Sequence, residues 1–171
     1  MTSYVLETDR LILRRFSAGD AAFILELVND PGWLRFIGDR GVRTLEDARN
    51  YIQNGPVEMY DRLGFGLYAV DLKGGGTPIG MCGLLKRATL PAVDLGFAFL
   101  PRFAGQGYAA EAAAAVLAYA HQALGLARVL AITSPDNTRS IKLLERIGFQ
   151  FAGMLQLTED DQVRLFEYTF G

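Results

Sequence analysis

Three apolar runs, Phe65–Leu72, Pro78–Leu85 and Ala92–Leu100, follow one another with connections too short to hold a crossover helix. Lys73-Gly74-Gly75-Gly76-Thr77 joins the first two, and Pro91 sets off the third. Strands linked this closely are expected to pair antiparallel, because parallel neighbours need a connection of roughly a dozen residues or more. The middle of the chain is therefore read as a meander. The triple glycine reads as a hairpin turn rather than a phosphate loop, since no Gly-Lys-Ser/Thr follows and no helix opens there.

The pattern changes on either side. Upstream, Leu11–Phe16 reads as a strand after the turn-like Glu7-Thr8-Asp9-Arg10. Ser17-Ala18-Gly19-Asp20 then opens a helix with Phe23, Ile24, Leu27 and Val28 on one face, and Pro31-Gly32 stops it. Trp33–Val42 is expected to be irregular, and Thr44 caps a second helix with Leu45, Ala48 and Ile52 on its apolar side. Downstream, Gln106–Leu124 predicts a long Ala-rich helix striped by Ala113, Val116, Leu117, Ala120 and Leu124. A strand at Arg128–Thr133, a helix at Asn137–Ile147 ended by Gly148, and a closing hairpin over Phe149–Leu157 and Gln162–Phe170 complete the chain. No repeat, charge block or linker divides it. The expected fold is one α+β domain over residues 1–171, built on a mixed, largely antiparallel sheet.

Composition narrows the function. The 171 residues carry 17 Lys plus Arg against 19 Asp plus Glu, a net charge of −2. A general nucleic-acid binder normally shows a basic excess, so no nucleic-acid partner is expected. Cys82 is the single cysteine and His121 the single histidine. With no CxxC and no HExxH, no metal site is expected. The N-terminus shows neither the basic nor the apolar region of a secretory signal. The most apolar stretch, Tyr108–Ile132, is interrupted by Glu111, His121, Gly125 and Arg128 and falls short of the roughly 20 apolar residues that cross a bilayer. The expectation is a soluble, cytoplasmic chain, monomer or homodimer, with no membrane partner.

The segment from Leu100 to Glu111 joins an apolar strand to a helix start and carries Arg102, Gly105 and Gly107. Helix starts expose unpaired N–H groups and partial positive charge, and glycines let a phosphate approach them. Arg102 adds a cationic fork. A tight turn with no ligand explains the same residues, and Glu111 reads as a surface residue complementing the helix dipole. Gly105-Gln106-Gly107-Tyr108-Ala109-Ala110 also fits GxGxxA, but a dinucleotide-binding redox domain needs successive βαβ units that the meander lacks.

A second segment, Ser134-Pro135-Asp136-Asn137 through Gly148-Phe149, is a loop, a helix capped by Asp136 or Asn137, and a glycine stop. Together the two segments resemble motifs A and B of the GNAT superfamily of N-acetyltransferases. Arg102-x-x-Gly105-x-Gly107 matches the (Arg/Gln)-x-x-Gly-x-(Gly/Ala) signature, and Asn137-x-x-Ser140-x-x-Leu143-Leu144-Glu145-x-x-Gly148-Phe149 matches the second block. Glu7-Thr8-Asp9-Arg10-Leu11-Ile12-Leu13-Arg14 resembles the opening of the RimJ/RimL branch.

The resemblance implies an acetyl-CoA-dependent transferase acting on a primary amine, either a protein N-terminus or a small molecule. It implies pyrophosphate on the backbone of Gly105, Gln106, Gly107, Tyr108, Ala109 and Ala110, with Arg102 beside it. It also implies a sheet splayed between the fourth and fifth of the strands read above, those ending near Leu100 and starting near Arg128. The pantetheine arm would enter there along Phe97, Ala98 and Phe99, with Asn137 as a side-chain contact. Asp94 is the first candidate base and Glu58 the second. Many relatives place a tyrosine acid where this chain has Leu144, so Ser140 becomes the candidate donor to the departing sulfur, with Tyr108 as a further one. Trp33, Phe36, Tyr51, Met59, Tyr60 and Phe65 are candidate walls of an acceptor pocket. Cys82 reads as core rather than as a nucleophile. A non-catalytic acyl-CoA-binding module is the alternative reading.

Overall fold

The computed structural model describes residues 4–171. An eight-stranded sheet runs β1 (Leu6–Glu7), β2 (Leu11–Arg14), β3 (Leu67–Leu72), β4 (Pro78–Leu85), β5 (Asp94–Phe99), β6 (Arg128–Thr133), β8 (Asp161–Thr169), β7 (Gln150–Thr158) in spatial order. Every neighbouring pair is antiparallel except β5 and β6. The triple-glycine segment is the turn between β3 and β4, closed by Leu72 N–H on Thr77 O at 2.9 Å. β5 and β6 are joined through α5 (Tyr108–Gln122), the long connection that parallel strands require.

Helices cover both faces. Buried Ala112, Ala113, Val116, Leu117 and Ala120 of α5, with Leu144 of α6 (Thr138–Arg146), pack on Leu13, Val70, Cys82, Leu95, Val129 and Phe166. The opposite face is covered by α1 (Ala21–Val28), α2 (Pro31–Phe36) and α3 (Leu45–Ile52), whose Ile24, Leu27, Trp33, Ala48 and Ile52 meet Ala69, Met81 and Leu100. Each buried Leu or Ile contributes roughly 1.5–3 kcal/mol, so these two layers dominate the stability. α3 begins with the reciprocal cap that Thr44 announces. Its hydroxyl accepts from Asp47 N–H at 3.0 Å and Asp47 Oδ2 accepts from Thr44 N–H at 3.2 Å.

Three local expectations need correction. Pro31 does not simply stop a helix. It occupies the first position of α2, where its missing N–H costs nothing, and Asp30 Oδ2 caps Gly32 N–H at 2.9 Å. Part of the stretch from Trp33 onward is therefore helical. Glu7 closes a short strand on β2 rather than sitting in a turn. Glu58 begins a further helix, α4 (Glu58–Leu63), reached through a wide π-helical turn at Gln53–Val57 that accommodates Pro56.

Candidate active site

β5 and β6 touch at one register pair, Asp94 with Leu130, fixed by Leu130 N–H on Val93 O at 2.9 Å. Beyond it the strands part. Leu100 N–H bonds Ile79 O of β4, and Ala98 pairs with Met81, so the even-numbered residues of β5 direct their main-chain groups toward β4. Alternation then turns Phe97 and Phe99 toward the opening. Their N–H and C=O groups have no ladder partner there, and such groups need one. Ala98 brings no free main-chain group to the opening, because its own serve β4.

The loop after β5 makes a 3-10 turn at Pro101–Phe103 and then two left-handed steps, Gly105 at φ +79° and Gly107 at φ +83°. A side chain is disfavoured at such angles, which explains both glycines. Gly107 caps α5 without a side chain, so among the described residues its N-cap supplies no side-chain acceptor for the first N–H groups of the helix at Tyr108, Ala109 and Ala110. Gly105, Gln106 and Gly107 are exposed. Main-chain donors, an open surface and the positive end of a fifteen-residue helix form a cradle chemically suited to phosphate.

The charged groups around this loop go beyond the single arginine that the sequence reading offered. Arg102 pairs with Glu26 of α1 at 2.6 Å, with both side chains about half exposed. Arg10 also reaches the loop. Its Nη1 donates to Gln106 O at 2.9 Å, its Nε to Glu111 Oε1 at 2.7 Å, and its guanidinium lies 4.5 Å from the Tyr108 ring centre. Glu111 is not a free surface acid. Its Oε2 accepts from Thr8 Oγ1 at 2.5 Å and from Arg10 N–H at 3.0 Å. Partial burial raises its pKa, but these hydrogen bonds and the Arg10 charge outweigh that and hold it below the usual carboxylate value. The Thr8–Arg10 turn thus clasps the start of α5. Sequence reasoning missed this, and the acidic residue one turn into α5 was the only available signal.

Where β5 meets β6, the Asp94 side chain is fully buried. Its Oδ1 accepts from Arg87 Nε at 3.2 Å, while Oδ2 has no partner. Burial raises its pKa, and Arg87, assisted by Lys86, opposes the rise without cancelling it. A buried carboxyl with a raised pKa and a free oxygen has the properties of a proton acceptor. Glu58, in contrast, is exposed and paired with Arg62 at 2.7 Å, one turn along α4. Ser140 is half-buried, with its N–H on Asn137 Oδ1 at 3.3 Å. Asn137 is therefore the cap of α6, with its side-chain carbonyl in use.

Leu144, at the position expected of a tyrosine acid, is wholly buried in the core beneath α6. Thr133, on β6, carries a second buried polar oxygen with no partner. Of the candidate acceptor walls, Trp33 and Tyr60 are core residues, and the Tyr60 hydroxyl is held between Leu67 O and Phe16 N–H. Phe36, Tyr51, Met59 and Phe65 are half-buried. Cys82 is completely buried and its thiol pKa is pushed up by burial, which makes it an inert core residue. Among the described residues no group of three or more His, Cys, Asp or Glu side chains is arranged to hold a metal. No helix of the described residues is long and apolar enough to cross a membrane.

A family model for the acetyltransferase (GNAT) domain matches residues 10–150. The chain belongs to the GNAT acetyltransferases. Like other GNAT members it is an acetyl-CoA-dependent N-acetyltransferase. The uncharacterized N-acetyltransferase YoaA of Bacillus subtilis is 31% identical over 154 residues, 89% of this chain and 86% of that protein. A crystal structure of an acetyltransferase from Agrobacterium tumefaciens superposes with a TM-score of 0.83 at 26% identity, covering 99% of this chain and 96% of that one. RimL, a ribosomal alpha-N-protein acetyltransferase solved in complex with coenzyme A, shares the GNAT fold with a TM-score of 0.82 at 19% identity, covering 98% of each chain. The parted strands and the open glycine turn of this GNAT chain fit such a cosubstrate, since both present main-chain groups that lack protein partners.

Proposed function

We propose that this chain transfers the acetyl group of acetyl-CoA to a primary amine, a protein N-terminus or a small-molecule amine, by direct attack within a ternary complex. The observation that carries this reading is the buried Asp94 carboxylate, with its unpartnered oxygen at the root of the opening between β5 and β6. The main chain from Gly105 to Ala110 would hold the diphosphate, Phe97 and Phe99 the pantetheine arm, and the Asn137 NH2 group the same arm from the β6 side.

Acetyl-CoA supplies an activated acyl group on a good thiolate leaving group. The protein's part is to hold the amine neutral and to receive its proton, and the Asp94 Oδ2 is suited to that directly or through one water. Phe97 N–H would stabilise charge developing on the carbonyl oxygen, a contribution of about 3–4 kcal/mol where such donors have been removed. Ser140 is the candidate donor to the sulfur, because Leu144 has no proton to give. Cys82 is sealed in the core and does not compete as a nucleophile.

Free-thiol release, screened over amines and short peptides, tests the proposal. Thiol release that depends on an amine, with double-reciprocal lines that intersect, is the expected result. Parallel lines would indicate an acyl-enzyme and defeat direct attack. Tight acetyl-CoA binding with no release for any amine would favour the non-catalytic module.

A further inference from the structure

We infer that Arg10 is a phosphate-binding residue of the coenzyme A site, its Nη2 donating to a phosphate held at the Gly105–Gly107 turn. The inference rests on the reading that this turn holds the phosphates. It begins from a mismatch. A site for a multiply charged anion is expected to carry a cation, and Arg102, the residue that the motif offers, is engaged with Glu26 at 2.6 Å. Arg10 is the arginine that lies over the turn itself.

Its placement is specific. A methyl group built on Gly107 would meet Arg10 Nη2 at 3.3 Å, so this nitrogen lies beside the open side of the glycine. Nε is fixed by Glu111 and Nη1 by Gln106 O, while the Tyr108 ring lies against the guanidinium plane. With Nε and Nη1 anchored, Nη2 is the nitrogen left to reach a ligand, and 45% of the side chain remains accessible. A guanidinium held in this way loses little freedom on binding a phosphate and presents a directed donor. Glu111 would by itself repel an anion at the start of α5. Three donors from Thr8 and Arg10 converge on its two oxygens, which turns the carboxylate into an anchor for the arginine.

Calorimetric titration of the whole protein with coenzyme A and with 3′-dephospho-coenzyme A tests the assignment, using wild type, Arg10→Gln, Arg10→Lys and Thr8→Val. A lost charge-assisted hydrogen bond predicts about a ten- to hundredfold weaker Kd for Arg10→Gln. Arg10→Lys should recover part of that loss, because it keeps the charge without the fork. Thr8→Val loosens the same clasp without touching the arginine. It should lower the melting temperature of the free protein and leave Kd within about threefold.

An equal loss with both ligands supports contact with the diphosphate, and a loss seen only with coenzyme A supports contact with the ribose 3′-phosphate. Arg10→Gln that binds both ligands like wild type overturns the assignment. Equal losses in Arg10→Gln and Thr8→Val also overturn it, because the clasp would then be purely structural. Wild-type protein that binds neither ligand would instead remove the cofactor reading beneath it.

Discussion

Arg87 Nε lies 3.2 Å from Asp94 Oδ1, and the second oxygen of that fully buried carboxylate has no partner. The two residues flank the turn between β4 and β5, so local chain geometry holds them together. Burial alone would drive Asp94 toward its neutral form, where it could accept no proton. The arginine restrains that rise while leaving Oδ2 free. The pair therefore keeps a buried acid chargeable, which suits a base better than either an unpaired or a fully satisfied carboxylate.

Asp94→Asn should lower kcat by about a hundredfold or more, the usual contribution of a positioned base. Its affinity for acetyl-CoA should stay at the wild-type level, because the groups suited to hold the cosubstrate lie on Phe97, Phe99 and the glycine turn. Stopped-turnover thiol release and calorimetric titration measure the two quantities separately. A variant that keeps wild-type turnover removes Asp94 as the base.

The same substitution has a signed effect on stability. The folded-state pKa of Asp94 is raised, so between the unfolded value of about 4 and the folded value the native state binds the extra proton. Stability from this group is fully present below that window and falls as pH rises through it. Asp94→Asn, which cannot ionise, should therefore melt higher than wild type at neutral pH, with the difference shrinking toward pH 4. Arg87, left without its partner, is 36% exposed and can be solvated. Melting curves across pH check the sign, and a variant uniformly less stable than wild type at neutral pH contradicts it.

Arg87→Gln removes the main opposing charge and leaves only the weaker influence of Lys86 against burial of Asp94. The carboxyl pKa should rise further, moving the acid limb of kcat/KM to higher pH and lowering turnover at neutral pH. Turnover at high pH should approach the wild-type rate, because the base is intact. An unmoved acid limb would mean that another group governs it.

Much of this architecture was legible locally. β4 and β6 match their sequence-based bounds, because each is an apolar run with clear punctuation at both ends. Thr44 declared the cap of α3, and capping chemistry narrowed the cap of α6 to Asp136 or Asn137, of which the fold uses Asn137. β1 escaped notice because two residues carry no periodicity. The Thr8–Arg10–Glu111 clasp joins positions about a hundred residues apart, and Arg102 turned to Glu26 for an equally non-local reason. Spacing shows that an arginine is near a loop in sequence. It does not show which carboxylate competes for that arginine. Trp33 and Tyr60 illustrate a different ambiguity, because a large aromatic suits a pocket wall and a core equally well until its neighbours are placed.

Gly107→Val tests the cradle most directly. The residue sits at φ +83°, where a β-branched side chain is strained by roughly 1–3 kcal/mol, and its first carbon would already crowd Arg10 at 3.3 Å. The remaining methyl groups would project over the main-chain donors of the turn. Coenzyme A at about 100 times its Kd should stabilise wild type by roughly 2.7 kcal/mol, and that thermal shift should vanish in the variant. Far-UV circular dichroism of the free variant separates lost binding from lost folding. Gly107→Ala should be intermediate, sharing the backbone strain but adding only one carbon. A valine variant that folds and still shows the full shift would place the phosphates somewhere other than on this turn.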